Sequence, residues 1–491
     1  MEEVRKLHLG KVLEGLEYSI RGSEDLEIHG VSYDSRTIKP GDLFVAISGL
    51  RVDGHDFVHE VAHKGAIAVL VEQVIDDLDL TQIVVPNTRL ALGLVGANFY
   101  DHPAQKIRVL GVTGTNGKTT STYLVKSILE QAGHKVGLIG TIETVIGDLV
   151  VESGRTTPES LDLQRLFSEM VDKGMDYVVM EVSSHALDLY RTMGTTFAGA
   201  LFTNLSQDHL DFHTTMDEYF SAKAKLFTEL DGPAIINVDD EWGRRLLTLP
   251  SATFSTYGVE EEADFRAEKI QLENGGISYI LKSEAGQIPI YLKLAGYFNV
   301  YNSLGAAGLC LSQGISLSDV QTGLQLASGV PGRFERIDNA HDLSVVVDYA
   351  HTPHGLENVL NSARKLTPKG RVIVVFGAGG DRDTSKRPLM GAVAAKLADV
   401  VIITSDNPRS EDPGVICSSI EKGLLSTKPQ VDYSIVVDRR TAIEEAIKMA
   451  TPDDLVIVAG KGHETYQEFA WGRIHFDDRE EVRRTIKELK D

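Results

Sequence analysis

The sequence predicts an α/β protein of three domains: a small N-terminal α/β domain, a central phosphate-loop domain with a mostly parallel sheet and an antiparallel ribbon, and a C-terminal Rossmann-like domain. Three observations predict this. The chain has 491 residues, the length of about three domains. Short apolar runs alternate with helix-period stretches along most of it, the pattern of a parallel sheet. One such run, Ile107 to Val112, enters a Gly-rich turn and then a helix, giving IRVLGVTGTNGKTT. Gly111, Gly117, Lys118 and Thr119 hold the fixed positions of G-x-x-x-x-G-K-[ST]. The glycines let backbone N–H groups curl around a polyphosphate, which then sits at a helix N-terminus. Lys118 adds a point charge and Thr119 a Mg2+ ligand.

Composition narrows the partners. The chain is 42% hydrophobic and 24% charged, ordinary for a globular protein. A net charge of -22 argues against nucleic acid or an anionic membrane as a bulk partner. Cys310 and Cys417 make neither a disulfide framework nor a C-x-x-C metal site, and fit a reducing cytoplasm. No signal-peptide pattern opens the chain, and no apolar run approaches the roughly 20 residues needed to span a bilayer.

Residues 1–102 form the first domain, with strands expected over Leu43 to Ile47, Ala66 to Val71 and Ile83 to Val85. Its polar cluster, Tyr33-Asp34-Ser35-Arg36, reads either as a surface turn or as a site. His102-Pro103 reads as a linker into the central domain, residues 103–337. After the phosphate loop, VGLIGT, YVVMEVSSH and GALFTNLSQDHLDFH are further strands followed by polar groups, where an α/β sheet presents ligands. Glu181 and His209 are there either solvated or in reach of Mg2+. In the helix DEYFSAKAKLF, Tyr219, Phe220, Leu226 and Phe227 face inward, and Lys223 shares their face. Lys225, about 200° further round, faces away. Lys223 either snorkels past the core or meets an anion.

From about Ala252 to Ile290 the pattern alternates, an antiparallel ribbon with turns at Glu273 to Gly276 and Glu284 to Gly286. An Ala-rich helix is expected to start near Asn302. Arg333 and Arg336, after the Pro331-Gly332 break, read as exposed phosphate contacts. Residues 338–491 carry five buried strands, in LSVVVDYAHTPHGL, RVIVVFGAGGDRD, ADVVIITSDNPR, YSIVVDRR and DLVIVAGKGHETY. GAGGDRD lacks the full G-x-G-x-x-G, which argues against NAD.

TGTNGKTT, EVSSHAL, TNLSQDHLDFH, YFSAKAKLF, FNVYNSLGAA, PGRFE, VDYAHTPH, GAGGDRD, SDNPR and AGKGHE follow one another in a fixed order. Over nearly the whole chain this resembles the Mur ligase family of peptidoglycan synthesis, most closely its branch that adds the third amino acid. TGTNGKTT alone also fits folylpolyglutamate synthase; YDSR, DNPR and GKGHE do not. The resemblance implies an ATP-dependent, amide-forming ligase of the bacterial cytoplasm, acting through an acyl phosphate with Mg2+, on UDP-MurNAc-L-Ala-D-Glu and meso-diaminopimelate, and a monomer. It implies catalytic roles for Lys118, Glu181, His209 and Lys223, and Mg2+ contacts for Thr119, Glu181, His209 and Lys223 as a carbamate. Gly114, Thr115, Asn116, Gly117, Lys118, Thr119, Thr120, Asn302, Arg333 and Asp348 match its ATP positions. Tyr33, Ser35, Leu50, Arg51 and Val52 match its uridine region, and Thr156, Thr157, Ser183 and Arg191 its sugar-peptide region. Leu189 stands where the family often has Gln, so no contact is carried over there. Arg382, Asp406, Asn407, Pro408, Arg409, Gly460 and Glu464 match its amino-acid site.

The resemblance implies the amino acid, since DNPR is the family's mark of the diaminopimelate-adding enzymes, and charge gives a physical reason for it. Diaminopimelate carries an ammonium and a carboxylate at its far end, L-lysine only the ammonium. Asp406 suits the ammonium and Arg409 the carboxylate, through a two-pronged pair. DNPR also reads as an Asx-type turn before Pro408, which leaves the arginine unexplained. The alternatives are an L-lysine-adding ligase, a folate- or cyanophycin-type ligase, a non-catalytic phosphate-loop regulator and a Rossmann dehydrogenase.

Overall fold

The computed structural model describes residues 5–49, 52–228, 230–250, 253–273, 276–338 and 343–489. The chain divides into two compact units, one of residues 1–112, 134–200 and 222–233, the other of 113–133, 201–221 and 234–491.

In the first unit, Ser19–Arg21, Thr81–Val84, Ala68–Val71, Asp42–Val45 and Gly30–Ser32 make a five-stranded sheet in that order. It is parallel except for Ser19–Arg21 at one edge. Its central strands are apolar on both sides, because each face carries a cluster: Leu43, Val45, Leu70 and Ile83 on one, Phe44, Val69 and Val71 on the other. The same unit holds Tyr177–Glu181, parallel to both Val136–Ile139 and Arg108–Thr113, and an antiparallel hairpin of Glu143–Ile146 and Leu149–Glu152. The expected linker at His102 is a tight corner: Asp101 and His102 have φ of 60° and 49°, and Pro103–Gln105 is one 3-10 turn.

In the second unit the phosphate-loop helix Lys118–Gln131 packs on helices Phe298–Ser312 and Leu317–Leu326. Ser127 Oγ donates to the Gly323 carbonyl at 2.7 Å. The alternating stretch is the ribbon expected: Phe265–Glu273, Gly276–Ser283 and Gly286–Leu292 pair antiparallel. Residues 274 and 275 of its first turn lie outside the described residues. The Ala-rich helix starts at Phe298, earlier than the expected Asn302. Gly296, at φ 94°, turns the chain just before it, and burial of Asn299 and Val300 outweighs the weak helix preference of FNVY. The helix Leu317–Leu326, not anticipated, carries a start signal in Ser316, whose hydroxyl accepts from Asp319 N at 3.1 Å.

The C-terminal sheet runs Glu335–Arg336, Ser344–Asp348, Leu455–Ala459, Val372–Phe376, Val400–Ile403, Asp432–Ile435. All but the first pair are parallel, the doubly wound arrangement expected. One of the five strands differs from expectation: Asp432–Ile435 is a half-exposed edge rather than a buried strand. Its apolar run YSIVV covers only one flank, since no strand follows it. Among the described residues, no helix is long and apolar enough to cross a membrane.

Candidate active site

The phosphate loop takes the form its glycines allow. Gly114 and Gly117 have φ of 147° and 88°, and a Cβ on either would overlap Thr203 Oγ1 or Asn302 Oδ1. Lys118 Nζ donates to the Gly114 and Thr115 carbonyls at 3.0 and 2.8 Å. Thr115 and Thr120 are buried around the loop, and Asn116 N donates to Asn204 Oδ1 at 3.1 Å. Thr119 Oγ1 accepts from Arg333 Nη2 at 3.0 Å, and the Arg333 guanidinium lies 4.4 Å from the centre of the Tyr349 ring. Arg333 is thus half-buried rather than exposed, because Tyr349 and the loop clamp it. Arg336 is exposed, but it pairs with Val346 in an edge strand and lines a separate cavity with Lys369.

A cavity of about 580 Å³ opens beside the loop. Asn116, Gly117, Thr120, Asn302, Arg333 and Asp348 line it, all expected nucleotide contacts. So do Tyr297, Tyr301, His354 and Asn358, which sequence reasoning missed although they sit in YFNVYN and HTPHGLEN. The volume and the aromatic wall suit a purine nucleotide.

Asp348 closes this cavity. Its carboxylate accepts from Phe334 N at 2.6 Å and from Ala350 N at 2.7 Å. Burial pushes the carboxyl up to about 6, against the pull of Arg333 and of the two amides. An acid whose folded pKa exceeds its ordinary 3.8 holds more protons folded than unfolded between these values. The contribution of Asp348 to stability therefore falls as pH rises from about 4 to 6. Asp348→Asn is expected to flatten that fall by roughly 1.4 kcal/mol per pKa unit removed. Urea midpoints at pH 4 and pH 6 check this; an undiminished slope would move the effect to another acid, such as Asp240, also pushed up to about 6 by burial.

Next to the loop, His209 has φ 56° and sits beside Asp208, at 3.5 Å. Asp208 is buried, with Lys386 Nζ at 3.5 Å and His351 Nε2 at 3.8 Å. Burial raises its carboxyl, but His209, Lys386 and His351 together hold it well below the usual range. Asp208, Lys386 and His351 were not among the expected site residues; their partners come from distant loops.

The DNPR corner is more crowded than its sequence suggests. Asp406 and Asn407 are buried, and Gly460, at φ 120°, leaves room for Asp406, since a Cβ there would sit 2.7 Å from Asp406 Oδ2. Lys461, fully buried, donates to Asn407 Oδ1 at 3.1 Å and Glu464 Oε2 at 3.0 Å, and lies 3.8 Å from Asp406 Oδ1. Sequence reasoning passed over it in AGKGHE. Burial raises Asp406, but Lys461 and Arg439 outweigh it and keep this acid below its ordinary value. Glu464 is raised by burial. Arg409, at φ 51°, donates from Nε to Glu468 Oε2 at 3.1 Å and from Nη1 to the Gly380 carbonyl at 2.7 Å. A Cβ on Gly379 would lie 3.1 Å from Arg409 Nη1 and 3.8 Å from Arg382 Cγ, which places both arginines at one turn. Pro408 precedes Arg409 in that turn, its carbonyl against Gly380.

The first unit holds the other expected residues. Glu181 is 1% exposed and accepts from Thr141 N at 2.8 Å and Thr141 Oγ1 at 3.1 Å. Lys223 is 2% exposed on the helix Met216–Thr228, inward as the period predicts. Lys225 faces out and pairs with Asp188 at 2.7 Å. Thr156 Oγ1 meets Thr141 Oγ1 at 3.0 Å, and Thr157 Oγ1 donates to the Glu181 carbonyl at 2.9 Å. Ser183 Oγ caps the helix Ser184–Asp188, accepting from Ala186 N. Arg191 pairs with Glu159 at 3.1 Å, and the same buried carboxylate takes Arg155 at 2.6 Å and Arg89 at 3.3 Å. Three guanidinium groups on one carboxylate leave an excess of positive charge, suited to an anionic ligand. Glu159, Arg89 and Arg155 were not foreseen. Tyr33 Oη donates to Asp162 Oδ2 at 2.6 Å, and burial with this pairing pushes the phenol up. Asp34 Oδ1 accepts from Arg36 N at 2.9 Å, which closes YDSR into an Asx-type turn, and the Ser35 carbonyl accepts from Lys64 Nζ at 2.8 Å. Val52 is exposed; Leu50 and Arg51 lie outside the described residues.

Comparison with known proteins agrees with this geometry. Three family models match, described as Mur ligase family, catalytic domain (residues 27–100), Mur ligase middle domain (112–310) and Mur ligase, glutamate ligase domain (332–462). A Clostridium botulinum protein named UDP-N-acetylmuramoyl-L-alanyl-D-glutamate--2,6-diaminopimelate ligase is 46% identical, over 98% of this chain and 100% of its own length. A Clostridium acetobutylicum relative with that name, numbered 1, is 47% identical over the same shares. A solved structure titled with the same activity matches at 31% identity and a TM-score of 0.70, covering 98% of this chain and 99% of that one. A Mycobacterium tuberculosis folylpolyglutamate synthase complexed with ADP and AMPPCP shares the fold, at 18% identity and a TM-score of 0.63 over 76% of this chain and 92% of its own. A phosphate loop, a nucleotide-sized cavity and a DNPR corner, in a chain whose relatives match it end to end, identify it as a member of the Mur ligase family.

Proposed function

We propose that this chain joins meso-diaminopimelate to UDP-N-acetylmuramoyl-L-Ala-D-Glu, with ATP consumed, in peptidoglycan synthesis. The observation that carries the reading is its end-to-end likeness to ligases of that name. In this reading residues 1–102 hold the uridine nucleotide, 103–337 ATP and 338–491 the amino acid. The enzyme works as a monomer in the bacterial cytoplasm.

The D-Glu carboxylate attacks the γ-phosphorus of ATP, giving an acyl phosphate and ADP. The amine of diaminopimelate then attacks the acyl carbon, loses a proton and expels phosphate. Both partners of the first step are anions, so the protein's task is to offset their repulsion. Lys118 and the amides of Gly114 to Thr120 hold the phosphates. Asn302, Arg333 and Asp348 hold the rest of the nucleotide, in the cavity they line. Tyr33, Ser35 and residues 50–52 bind the uridine part. Thr156, Thr157, Ser183 and Arg191 bind the sugar and peptide, with the arginines around Glu159 drawing in the carboxylate.

Thr119 supplies a hydroxyl and Glu181 a buried carboxylate, hard oxygen donors of the kind Mg2+ takes alongside phosphate and water. With His209 and Lys223 as a carbamate they are the residues to hold the ion, which neutralises developing phosphate charge when bound. The burial of Lys223 supports its place in this set, since a group that holds an ion must face inward rather than into solvent. Asp406, Asn407, Gly460 and Glu464 take the amino-acid end, and Arg382, Pro408 and Arg409 line the turn that meets the far carboxylate.

Phosphate release with ATP, Mg2+ and the nucleotide dipeptide tests this. Turnover is expected with meso-diaminopimelate and at least about tenfold less with L-lysine, the loss of one charged hydrogen-bond pair. Equal turnover with lysine would keep the ligase and overturn the specificity. ATP binding with no release in either case would favour a phosphate-loop regulator.

A further inference from the structure

Glu468 stands outside every expected site, yet it is built into the DNPR corner. Its carboxylate takes Arg409 Nε at 3.1 Å through Oε2, and Arg473 Nη2 at 3.2 Å through Oε1. Its main chain is tied to the same corner: Glu468 N donates to Asn407 Oδ1 at 3.0 Å, and its carbonyl accepts from Arg409 N at 3.0 Å. Arg473 in turn lies 4.3 Å from the centre of the Tyr466 ring, across a hairpin of Tyr466–Phe469 and Gly472–His475. An arginine side chain has about four rotatable bonds and loses up to ~2 kcal/mol of rotamer freedom when fixed. Arg409 also sits at φ 51°, a backbone region unfavourable for a residue with a Cβ, so its turn too is held by its surroundings.

We propose that Glu468 is a positioning residue for amino-acid specificity: it holds the Arg409 guanidinium in place to receive the far carboxylate of the incoming amino acid. The inference rests on the reading of Arg409 given above. Nε goes to Glu468 and one Nη1 hydrogen to the Gly380 carbonyl, while Nη2 has no hydrogen-bond partner among the described residues. The outer end of the fork therefore keeps donors for a carboxylate. Charge supports the same role. With Arg382 and Asp381, whose charges act at the same turn, Arg409, Glu468 and Arg473 sum to one net positive charge, which attracts a carboxylate. Glu468 also leaves Arg409 paired before any ligand arrives, which lowers the cost of keeping a cation in a half-buried turn. Fixing the fork beforehand removes an ordering cost from binding, so the effect falls on the amino acid's KM rather than on kcat.

The test compares Glu468→Ala, Glu468→Gln and Arg409→Ala in the full enzyme, with KM for diaminopimelate, KM for ATP and kcat measured separately. Glu468→Ala is expected to raise KM for diaminopimelate about tenfold, leaving KM for ATP and kcat within about twofold. Glu468→Gln, which still accepts from Nε, is expected to recover most of the loss. Arg409→Ala is expected to raise the same KM by more than about tenfold. If Arg409→Ala raises it and Glu468→Ala does not, the positioning role is wrong and the site reading stands. If Arg409→Ala changes nothing, the reading of the DNPR corner fails and takes this inference with it. A parallel rise of all three constants in Glu468→Ala, without recovery in Glu468→Gln, would mark a structural role and overturn the proposal.

Discussion

Lys118→Met is expected to lower kcat for phosphate release by about 10²–10³-fold, the size seen when one preorganised electrostatic contact to a transition state is removed. The side chain is half-buried and its ammonium donates to two loop carbonyls, at 2.8 and 3.0 Å. Met keeps the length and the apolar stem and removes the charge. The reaction brings a carboxylate to a triphosphate, and the cation matters most as charge moves to the bridging oxygen. Arg333 limits the loss in the ground state, because it stays bonded to Thr119 Oγ1 and keeps one cation at the loop. The expected pattern is therefore a large fall in kcat with a smaller change in ATP affinity. A variant retaining kcat within tenfold would remove Lys118 from the catalytic set.

Asp478→Asn is expected to have the largest effect on stability. Arg439 and Asp478 are both fully buried and share two hydrogen bonds, Nε to Oδ1 at 2.8 Å and Nη2 to Oδ2 at 2.7 Å. Arg439 also reaches the Ala459 carbonyl at 2.9 Å and the Ser405 carbonyl at 3.3 Å, the ends of two neighbouring loops of the amino-acid corner. Asparagine leaves the guanidinium buried without its counter-charge, which costs ~3–5 kcal/mol. For a unit of this size the melting temperature of the C-terminal sheet falls on the order of 10 °C. Replacing both partners, as Arg439→Met with Asp478→Leu, is expected to recover much of this, because the desolvation of two ions disappears with them. Calorimetry on the two variants separates the cases; a single variant as stable as the parent would show that the pair carries no net charge energy.

Local features of the sequence reached the structure intact. The glycines and the lysine of TGTNGKTT lie within a few residues of each other, so their geometry is set by backbone sterics that no distant contact overrides. The inward turn of Lys223 and the outward turn of Lys225 follow from 3.6 residues per turn and an apolar face. The ribbon announced itself through period-two alternation. Reading failed where an apolar run has two physical meanings. YSIVV looks like a core strand, and only its place at the edge of the sheet exposes it. The helix at Phe298 begins among residues with weak helix preference, because burial decides it.

The sequence alone determined the chemistry that depends on neighbours in the chain: a phosphate-binding loop, a buried lysine and an Asp-Asn-Pro-Arg turn. The tertiary structure alone decided which charges meet. Glu468 is 59 residues from Arg409, and Asp478 is 39 from Arg439. Glu159 gathers Arg89, Arg155 and Arg191, and Asp208 faces Lys386 and His351. Electrostatic energy depends on separation in space and on burial, and neither is written in the order of the residues; both appear only once the loops at the strand ends have been brought together.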